Sequence, residues 1–390
     1  MKFLEKNPFD EGELDEYRHV FGYESRDPEG IPWNSIYFQS SREEFRERRS
    51  LSYNSFRNQN DELELDETFS GIYNNYFSFI ENHLIKAEFS HFQLRNNVQC
   101  IAYDQIYMKT RPNCLTRYNP VTYEQKIIIK PDFTAVSFNV LDENMIVGGT
   151  EGELMLCDTD GKIKFNIVLT EEDSRITNSC TLVSELGEVF IMACNNDRKV
   201  RFMHPETRAI KEQFEFSDCV NSAVLSTDKR KIGACLDSTE DFVIDRVSGD
   251  TIGNTSGHTD FGFSCAWDPS FEYYFATSNQ DHSVIIWDIR TGPIFKPIHV
   301  LKGQLGAALC VKYSKNGKYL AFIESADYLN IIDKKDYSQR QVLDYFGETS
   351  GFDFCEDYDD TNSIFLGIAD PKYNSLIEHR ENKKDSNFIY

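Results

Sequence analysis

Four residues in the second half of the chain carry groups that could take part in chemistry: His258, Thr277, Asp281 and Trp287. An imidazole near a carboxylate and a hydroxyl is a combination that enzymes use for proton transfer. The same groups can also form a closed hydrogen-bond network, with the imidazole between the carboxylate and the hydroxyl and the indole N–H as the last donor. Such a network is stable in a protein interior only when every member is paired. We interpret the four residues as this structural network rather than as a catalytic site.

The elements that must position these side chains lie in the stretch from Gly257 to Arg290, which opens with Gly-His and closes with Trp-Asp. It contains three short runs rich in aromatic and β-branched residues, Gly262–Trp267, Tyr273–Ser278 and Ser283–Trp287, separated by turn residues. Strands of this length at this spacing are typical of one blade of a WD-repeat β-propeller.

The position of Trp287 recurs along the chain at intervals of 40 to 46 residues, close to the period of WD repeats. The equivalent positions are Arg117, Cys157, Met203, Ile244, Trp287, Ile332 and Glu378. We therefore predict an all-β fold, a seven-bladed WD-repeat β-propeller over residues 87–380. A ring must hide its strand edges, and we expect Glu88 to Leu94 to supply the outermost strand of the last blade.

The residues before the repeats form a short, partly helical N-terminal extension. We expect residues 1–29 to be acidic and flexible, residues 30–86 to pack on the propeller, and residues 381–390 to be a polar tail. Ser41 followed three residues later by Glu44 is a capping box, which predicts that a helix begins there. The apolar Gly30–Trp33 segment precedes this helix, and we include Trp33 among the candidate partner-binding residues.

Arginines make the predicted helix the most basic part of an acidic chain: Arg42, Arg46, Arg48, Arg49 and Arg57. Two interpretations follow. The arginines pair with nearby acidic residues and dock the helix on the propeller, or they contact an acidic partner or a phosphate. We take Arg42, Arg46 and Arg49 as candidates for the second role.

Two further groups of charged residues are candidate contacts for a partner. Arg198, Lys199 and Arg201 are clustered in the third repeat, where the alternative is a solvated strand end. Asp288 and Arg290 complete an apolar-apolar-apolar-Trp-Asp-x-Arg pattern. That pattern is similar to the box by which some WD-repeat proteins bind the adaptor of cullin-RING ubiquitin ligases.

Composition restricts the remaining function classes. The chain has 390 residues and a formal net charge of −23, so its field repels phosphate backbones and argues against direct nucleic-acid binding. Its ten cysteines include no C-x-x-C pair, which favours buried thiols in a reducing compartment over a zinc site or disulfides. The N-terminus has no apolar h-region and no run approaches eighteen apolar residues, so we expect no signal peptide and no membrane span. The histidines are scattered and no phosphate loop, nucleophile elbow or zinc-protease motif is present, so we expect no metal and no cofactor.

The chain also resembles a WD-repeat (transducin-like) family of plants and fungi that has no assigned activity. The resemblance is carried by Gly30–Trp33 with the Arg-rich helix behind it, by His91–Asn96, and by Val147–Gly149, Ile176–Asn178 and Asn195–Asp197. It continues through Gly257-His258 and Trp287–Arg290 to Leu301–Gly303 and Phe346–Gly351. It spans residues 30–380 and implies the propeller fold without adding any chemistry.

These observations together predict a non-catalytic protein-interaction scaffold that acts through the propeller rim and the N-terminal extension. The alternative is a substrate receptor of a cullin-RING ubiquitin ligase, acting through Asp288 and Arg290. In both cases the partners are proteins and the location is intracellular, with the cytoplasm favoured over the nucleus. The identity of the partners and the oligomeric state stay open.

Overall fold

The computed structural model describes residues 40–59, 61–356, 361–370 and 374–383, and Trp33 lies outside them. The described chain begins with helix α1 (Arg42–Ser52) and the strands β1 (Ile72–Tyr73) and β2 (Phe77–His83). The predicted capping box is confirmed: the amide of Glu44 donates to Ser41 Oγ, the amide of Ser41 donates to Glu44 Oε2, and both distances are 3.1 Å. No helix among the described residues is long and apolar enough to cross a membrane.

The remaining strands follow one another in antiparallel hairpins with short turns. In chain order they are β3 (Val98–Ala102), β4 (Gln105–Thr110), β5 (Cys114–Tyr118), β6 (Gln125–Ile129), β7 (Ala135–Leu141), β8 (Asn144–Gly149), β9 (Glu153–Asp158), β10 (Ile163–Val168), β11 (Thr177–Glu185), β12 (Glu188–Asn195), β13 (Lys199–Met203), β14 (Ile210–Glu215), β15 (Val220–Leu225), β16 (Lys231–Leu236), β17 (Phe242–Asp245), β18 (Thr251–Thr255), β19 (Gly262–Trp267), β20 (Tyr274–Asn279), β21 (Ser283–Asp288), β22 (Ile294–Lys302), β23 (Ala308–Tyr313), β24 (Tyr319–Glu324), β25 (Ala326–Asp333), β26 (Gln339–Glu356), β27 (Asn362–Ile368) and β28 (Ser375–Glu381).

Strand pairing groups these elements into four-stranded antiparallel units, which we call blades. Blades 1, 2 and 3 are separate sheets, β3–β6, β7–β10 and β11–β14. Blades 4 and 5, β15–β18 and β19–β22, are joined by a short parallel pairing of β18 with β22. The long strand β26 is the outer strand of blade 6 and then the inner strand of blade 7. Each of the positions equivalent to Trp287 lies in the third strand of its blade.

The apolar core lies between neighbouring blades. One cluster joins blade 4 to blade 5 and includes the buried side chains Cys235, Val243, Phe275 and Trp287. Successive side chains of a strand point to opposite faces of the sheet, and all six residues of β21 are buried, so this strand packs against neighbours on both faces. The result is a β-propeller whose blades are held by inter-blade packing.

The last blade is completed by β2, which pairs antiparallel with β28 from Phe77↔Glu381 to His83↔Leu376. The prediction that Glu88 to Leu94 supplies this strand was therefore wrong. Residues 88–94 form bends instead of a strand, and Glu88 Oε2 accepts a hydrogen bond of 2.6 Å from the amide of Asn113. The closing strand lies inside the 30–86 range that the sequence assigned to the extension.

Residues 53–59 and 61–76, which we call the strap, lie along the ring between α1 and the closing strand. Leu63 and Leu65 pack against the cluster around Trp287. Farther along, the amide of Thr68 donates to the carbonyl oxygen of Val300 at 2.8 Å, and β1 pairs in parallel with the start of β26. The strap therefore lies against blades 5 and 6 before β2 enters blade 7.

Candidate functional site

The ring has two faces, which differ in the turns they carry. The upper face carries the turns between the second and third strands of each blade and the connections from one blade to the next. The opposite face is called the lower face. The turn between β20 and β21 of blade 5, residues 280–282, lies on the upper face. It connects the repeat network to the extension.

The structure brings the four residues of the predicted network together. His258 Nδ1 lies 2.9 Å from Asp281 Oδ2, and His258 Nε2 lies 2.8 Å from Thr277 Oγ1. The indole Nε1–H of Trp287 donates to the same Thr277 oxygen at 2.8 Å. Ser283, which the sequence analysis did not include, donates from Oγ to Asp281 Oδ1 at 2.6 Å. Every member has a partner inside the blade.

The pKa shifts of His258 and Asp281 both favour the charged forms, so the two residues form an ion pair. Burial alone would lower the pKa of His258, but the Asp281 carboxylate outweighs it and the pKa is raised above the ordinary 6.5. Burial would likewise raise the pKa of Asp281, but His258 and the hydrogen bonds around the carboxylate hold it below 3.8. The side chain of His258 is fully buried and that of Asp281 is 3% exposed, so the groups hold the blade together and are closed to a substrate.

The other two residues of this turn hold the strap. Gln280 Nε2 donates to the carbonyl oxygen of Phe56 at 2.6 Å, and Gln280 Oε1 accepts from Gln93 Nε2 at 3.3 Å. His282 Nε2 lies 2.9 Å from Ser55 Oγ. The sequence indicates only a repeat turn here, because nothing local distinguishes a side chain that anchors a segment more than two hundred residues away.

Asp260, at the start of blade 5, is a second anchor for the strap. Its Oδ2 accepts from the amide of Asn58 and its Oδ1 from Asn58 Nδ2, both at 2.9 Å. The buried carboxylate therefore binds backbone and side chain of one residue at once. Together with Gln280 and His282 it fixes the course of residues 55–58 across the upper face.

The arginines of α1 dock the helix on blade 6, as the first of the two interpretations proposed. Arg49 Nε and Nη2 donate to the two carboxylate oxygens of Asp327 at 2.5 and 2.7 Å, and both side chains are buried. Arg46 Nη1 also donates to Asp327, at 2.6 Å, and Arg46 Nη2 donates to the carbonyl oxygen of Tyr345. Arg42 Nη1 donates to Asp344 Oδ2 at 2.7 Å.

An aromatic contact completes the docking of α1. Phe45 is buried and its ring meets Phe346 edge to face, with centroids 4.9 Å apart. The Arg46 guanidinium lies 4.1 Å from the centroid of the same Phe346 ring. Arg42, Arg46 and Arg49 thus make their contacts within this chain.

The third-blade cluster does not form one surface. Arg201 is buried and pairs with Asp197, with Nη1 3.0 Å from Asp197 Oδ1. Arg198 Nη2 lies 3.5 Å from Glu215 and Lys199 Nζ lies 3.7 Å from Glu172. The arginine at 201 therefore has a structural role inside the blade, and only Arg198 has a side chain that is half exposed.

Asp288 and Arg290 lie at the lower end of blade 5. Arg290 Nε and Nη2 donate to the two oxygens of Asp288 at 2.9 and 2.6 Å, so the two charges face each other. The guanidinium also lies about 5 Å from the ring centroids of Phe271 and Tyr273. The Arg290 side chain keeps 50% exposure.

The segment that follows the closing strand enters the central channel. Leu94, Arg95 and Asn96 line a small space of about 60 Å³ together with inner-strand residues. Arg95 is buried, donates from Nη1 to the carbonyl oxygen of Thr349 at 2.7 Å, and has a pKa lowered by burial to about 10. The lower mouth of the channel is a wider cavity of about 390 Å³, lined by hydroxyl side chains and by Lys312 and Lys315.

No cluster of three or more histidine, cysteine, aspartate or glutamate side chains suited to a metal occurs in the described ranges. The ten cysteines are unpaired, and all but Cys219 are buried. Burial raises the pKa of several of these thiols, Cys180 to about 12 among them, which keeps them protonated.

Comparison with known proteins supports the fold. No protein-family model matches the chain, and no curated protein matches it. Among solved structures it is similar to the WD40 β-propeller domain of Doa1, with a TM-score of 0.62 and 14% sequence identity. The match covers 82% of this chain and 99% of the Doa1 domain. The fold is accordingly that of a WD40 β-propeller, and the likeness shows the fold alone.

Proposed function

We propose that the protein is a non-catalytic scaffold that binds other proteins through the upper face of its propeller. The observation that carries this proposal is the composite surface made by α1 and the strap on that face. Buried ion pairs and the anchors at Gln280 and Asp260 fix two non-repeating segments on a rigid ring. Loops that carry function are commonly held in this way by a rigid scaffold.

The hydrogen-bond partners of the polar residues in blade 5 support the same proposal. The residues that could do chemistry, His258, Thr277 and Asp281, are engaged with one another inside blade 5. WD40 propellers are in general interaction scaffolds without catalytic activity, and this chain has that fold. The buried, unpaired cysteines agree with an intracellular, reducing location, which forms part of the proposal.

A second candidate function uses the lower face. The exposed half of Arg290, held in place by Asp288 and supported by Phe271 and Tyr273, would contact the adaptor of a cullin-RING ubiquitin ligase. The protein would then be a substrate receptor. The two candidates predict binding on opposite ends of the same blade and can be separated by mutation.

Affinity purification of the tagged full chain with quantitative mass spectrometry tests both candidates. The scaffold proposal predicts partners that survive Arg290→Ala, and the receptor alternative predicts a cullin adaptor that Arg290→Ala removes. Arg175→Ala, at an exposed ion pair with Glu151, is the matched control for loss of a surface arginine. If the wild-type protein enriches no protein over an untagged sample, both candidates fail.

A further inference from the structure

Two solvent-exposed aromatic side chains contact each other on the upper face. Phe56 belongs to the strap and is 54% exposed, and Phe92 belongs to the segment before blade 1 and is 39% exposed. Their ring centroids lie 5.6 Å apart at an interplanar angle of 84°, an edge-to-face contact. Neither ring completes a core, and both leave apolar surface in contact with water.

The backbone beneath this pair is fixed from below by one side chain. The side-chain nitrogen Nε2 of Gln280 donates to the carbonyl oxygen of Phe56, and its side-chain oxygen Oε1 accepts from Nε2 of Gln93, the residue after Phe92. Gln280 is itself buried. The two aromatic residues are therefore held in place before any partner arrives, which reduces the ordering cost of binding.

An exposed cation lies beside the pair although the whole chain is strongly acidic. Arg57, next to Phe56, is exposed and forms no ion pair with any of the described residues. Arg95, three residues beyond Phe92, is buried and lies 3.8 Å from its nearest carboxylate, Glu348. The carboxylate of Asp260 below the strap is buried and accepts hydrogen bonds from Asn58.

Two histidines lie near the pair, and burial is the main influence on the pKa of both. Burial and then Arg95 lower the pKa of His91 to about 4, and burial and then Arg57 lower that of His282 below 6.5. Both imidazoles are thus neutral at physiological pH.

We propose that Phe56, Phe92 and Arg57 form a docking surface for an acidic peptide segment of a partner protein that carries an aromatic or large aliphatic side chain. The apolar side chain packs against the two rings, and a carboxylate beside it pairs with Arg57. Aromatic and arginine side chains at a preorganised centre are the usual residues of interface hot spots. This inference rests on the proposed scaffold function and identifies its partner chemistry.

Fluorescence anisotropy with the purified full chain tests the surface. The probe is a short fluorescein-labelled peptide rich in glutamate that contains two phenylalanines. We expect Phe56→Ala to weaken binding about tenfold, from the loss of one buried aromatic contact. We expect Arg57→Glu to weaken it at least as much and Arg57→Lys to weaken it less. Because Phe56 and Arg57 are exposed, these variants should keep the wild-type melting temperature.

The matched control is Leu186→Ala, which removes a fully exposed apolar side chain from a lower-face turn and should bind the peptide as the wild type does. The surface is refuted if the wild type binds no peptide, or binds equally well a peptide with lysine in place of glutamate. It is also refuted if Phe56→Ala and Arg57→Glu bind normally.

A further variant tests occupation of the surface by this chain itself. Neutral replacements in the acidic N-terminus, Glu11→Gln, Glu13→Gln, Asp15→Asn and Glu16→Gln, should leave peptide binding unchanged. If they create binding that the wild type lacks, the occupant is the chain's own N-terminus and the proposal is wrong. If the same partner proteins purify with Phe56→Ala as with the wild type, the docking-surface proposal is wrong and the scaffold proposal still stands.

Discussion

Replacing Asp327 by asparagine should release α1 from the propeller without unfolding the ring. Asp327 is fully buried and receives hydrogen bonds from Arg46 and Arg49 and from the amide of Gly347. Asparagine has the same shape but no charge, so it leaves the buried Arg49 cation without its counter-charge. Breaking a buried pair in this way costs about 3–5 kcal/mol.

This loss should appear as local opening, because the helix can detach and its arginines can then be hydrated. Since about 1.4 kcal/mol corresponds to a factor of ten, amide exchange in α1 should accelerate by about two to three orders of magnitude. Hydrogen exchange followed by mass spectrometry measures this, and the strands of blades 1 to 3 should keep their wild-type protection. The thermal melt of the ring should change little.

Asp344→Asn is the matched control, because Asp344 pairs with Arg42 but its side chain is 40% exposed. A pair exposed to this extent contributes less than about 1 kcal/mol, so exchange in α1 should rise no more than about fivefold. Equal exchange of α1 in the two variants would refute the view that the buried pair fixes the helix. A uniform loss of protection over the whole ring would refute the view that α1 opens separately.

Three other substitutions test the ring itself. Thr277→Val removes the oxygen shared by His258 and Trp287 and should lower the free energy of unfolding by about 2–4 kcal/mol in urea melts. A loss no larger than that of a substitution at an exposed position would contradict a buried network in which every member is paired. Asp241, whose pKa is raised by burial to about 6 and whose Oδ2 has no partner in the described part of the chain, destabilises the folded state when ionised. The resulting penalty is absent below the unfolded pKa near 4, grows as the pH rises from about 4 to about 6, and stays constant above that, so Asp241→Asn should stabilise the protein by about 2–3 kcal/mol at pH 8 and by little at pH 4; a gain independent of pH would sink this account. Phe77→Ala in the closing strand should cost about 3–5 kcal/mol in the same urea melts, and a near-neutral result would mean that β2 does not hold the ring closed.

The repeat network and the cap of α1 could be predicted because their signals are local. Thr277 and Trp287 lie on the two strands of one hairpin, Asp281 lies in its turn, and His258 lies just before the first strand of the same repeat, so the spacing within one repeat brings the four together. Ser41 and Glu44 lie within one helical turn, and their spacing specifies the capping box. The arginines of α1 were also visible, but their two interpretations could not be separated without knowing what lies beneath the helix.

The closing strand shows why the long-range contacts could not be predicted. Residues 88–94 stand next to the first blade in sequence and contain two phenylalanines, yet Phe77 to His83 pair with β28. Both segments have strand composition, and the choice depends on which one fits the exposed edge of a blade some three hundred residues later. The burial of Arg201 against Asp197 could not be predicted either, because a short run of cationic residues is typical of an exposed strand end.

The sequence by itself determined the β-propeller class and the internal network of blade 5, because both arise from short-range periodicity and turn chemistry. Only the tertiary structure decided where the non-repeating residues lie. It placed Asp327 under Arg49, Gln280 under Phe56, and β2 on the open edge of blade 7. Each of these pairs joins residues that are more than two hundred positions apart, and their contact depends on the closed ring bringing distant blades and the extension to one face.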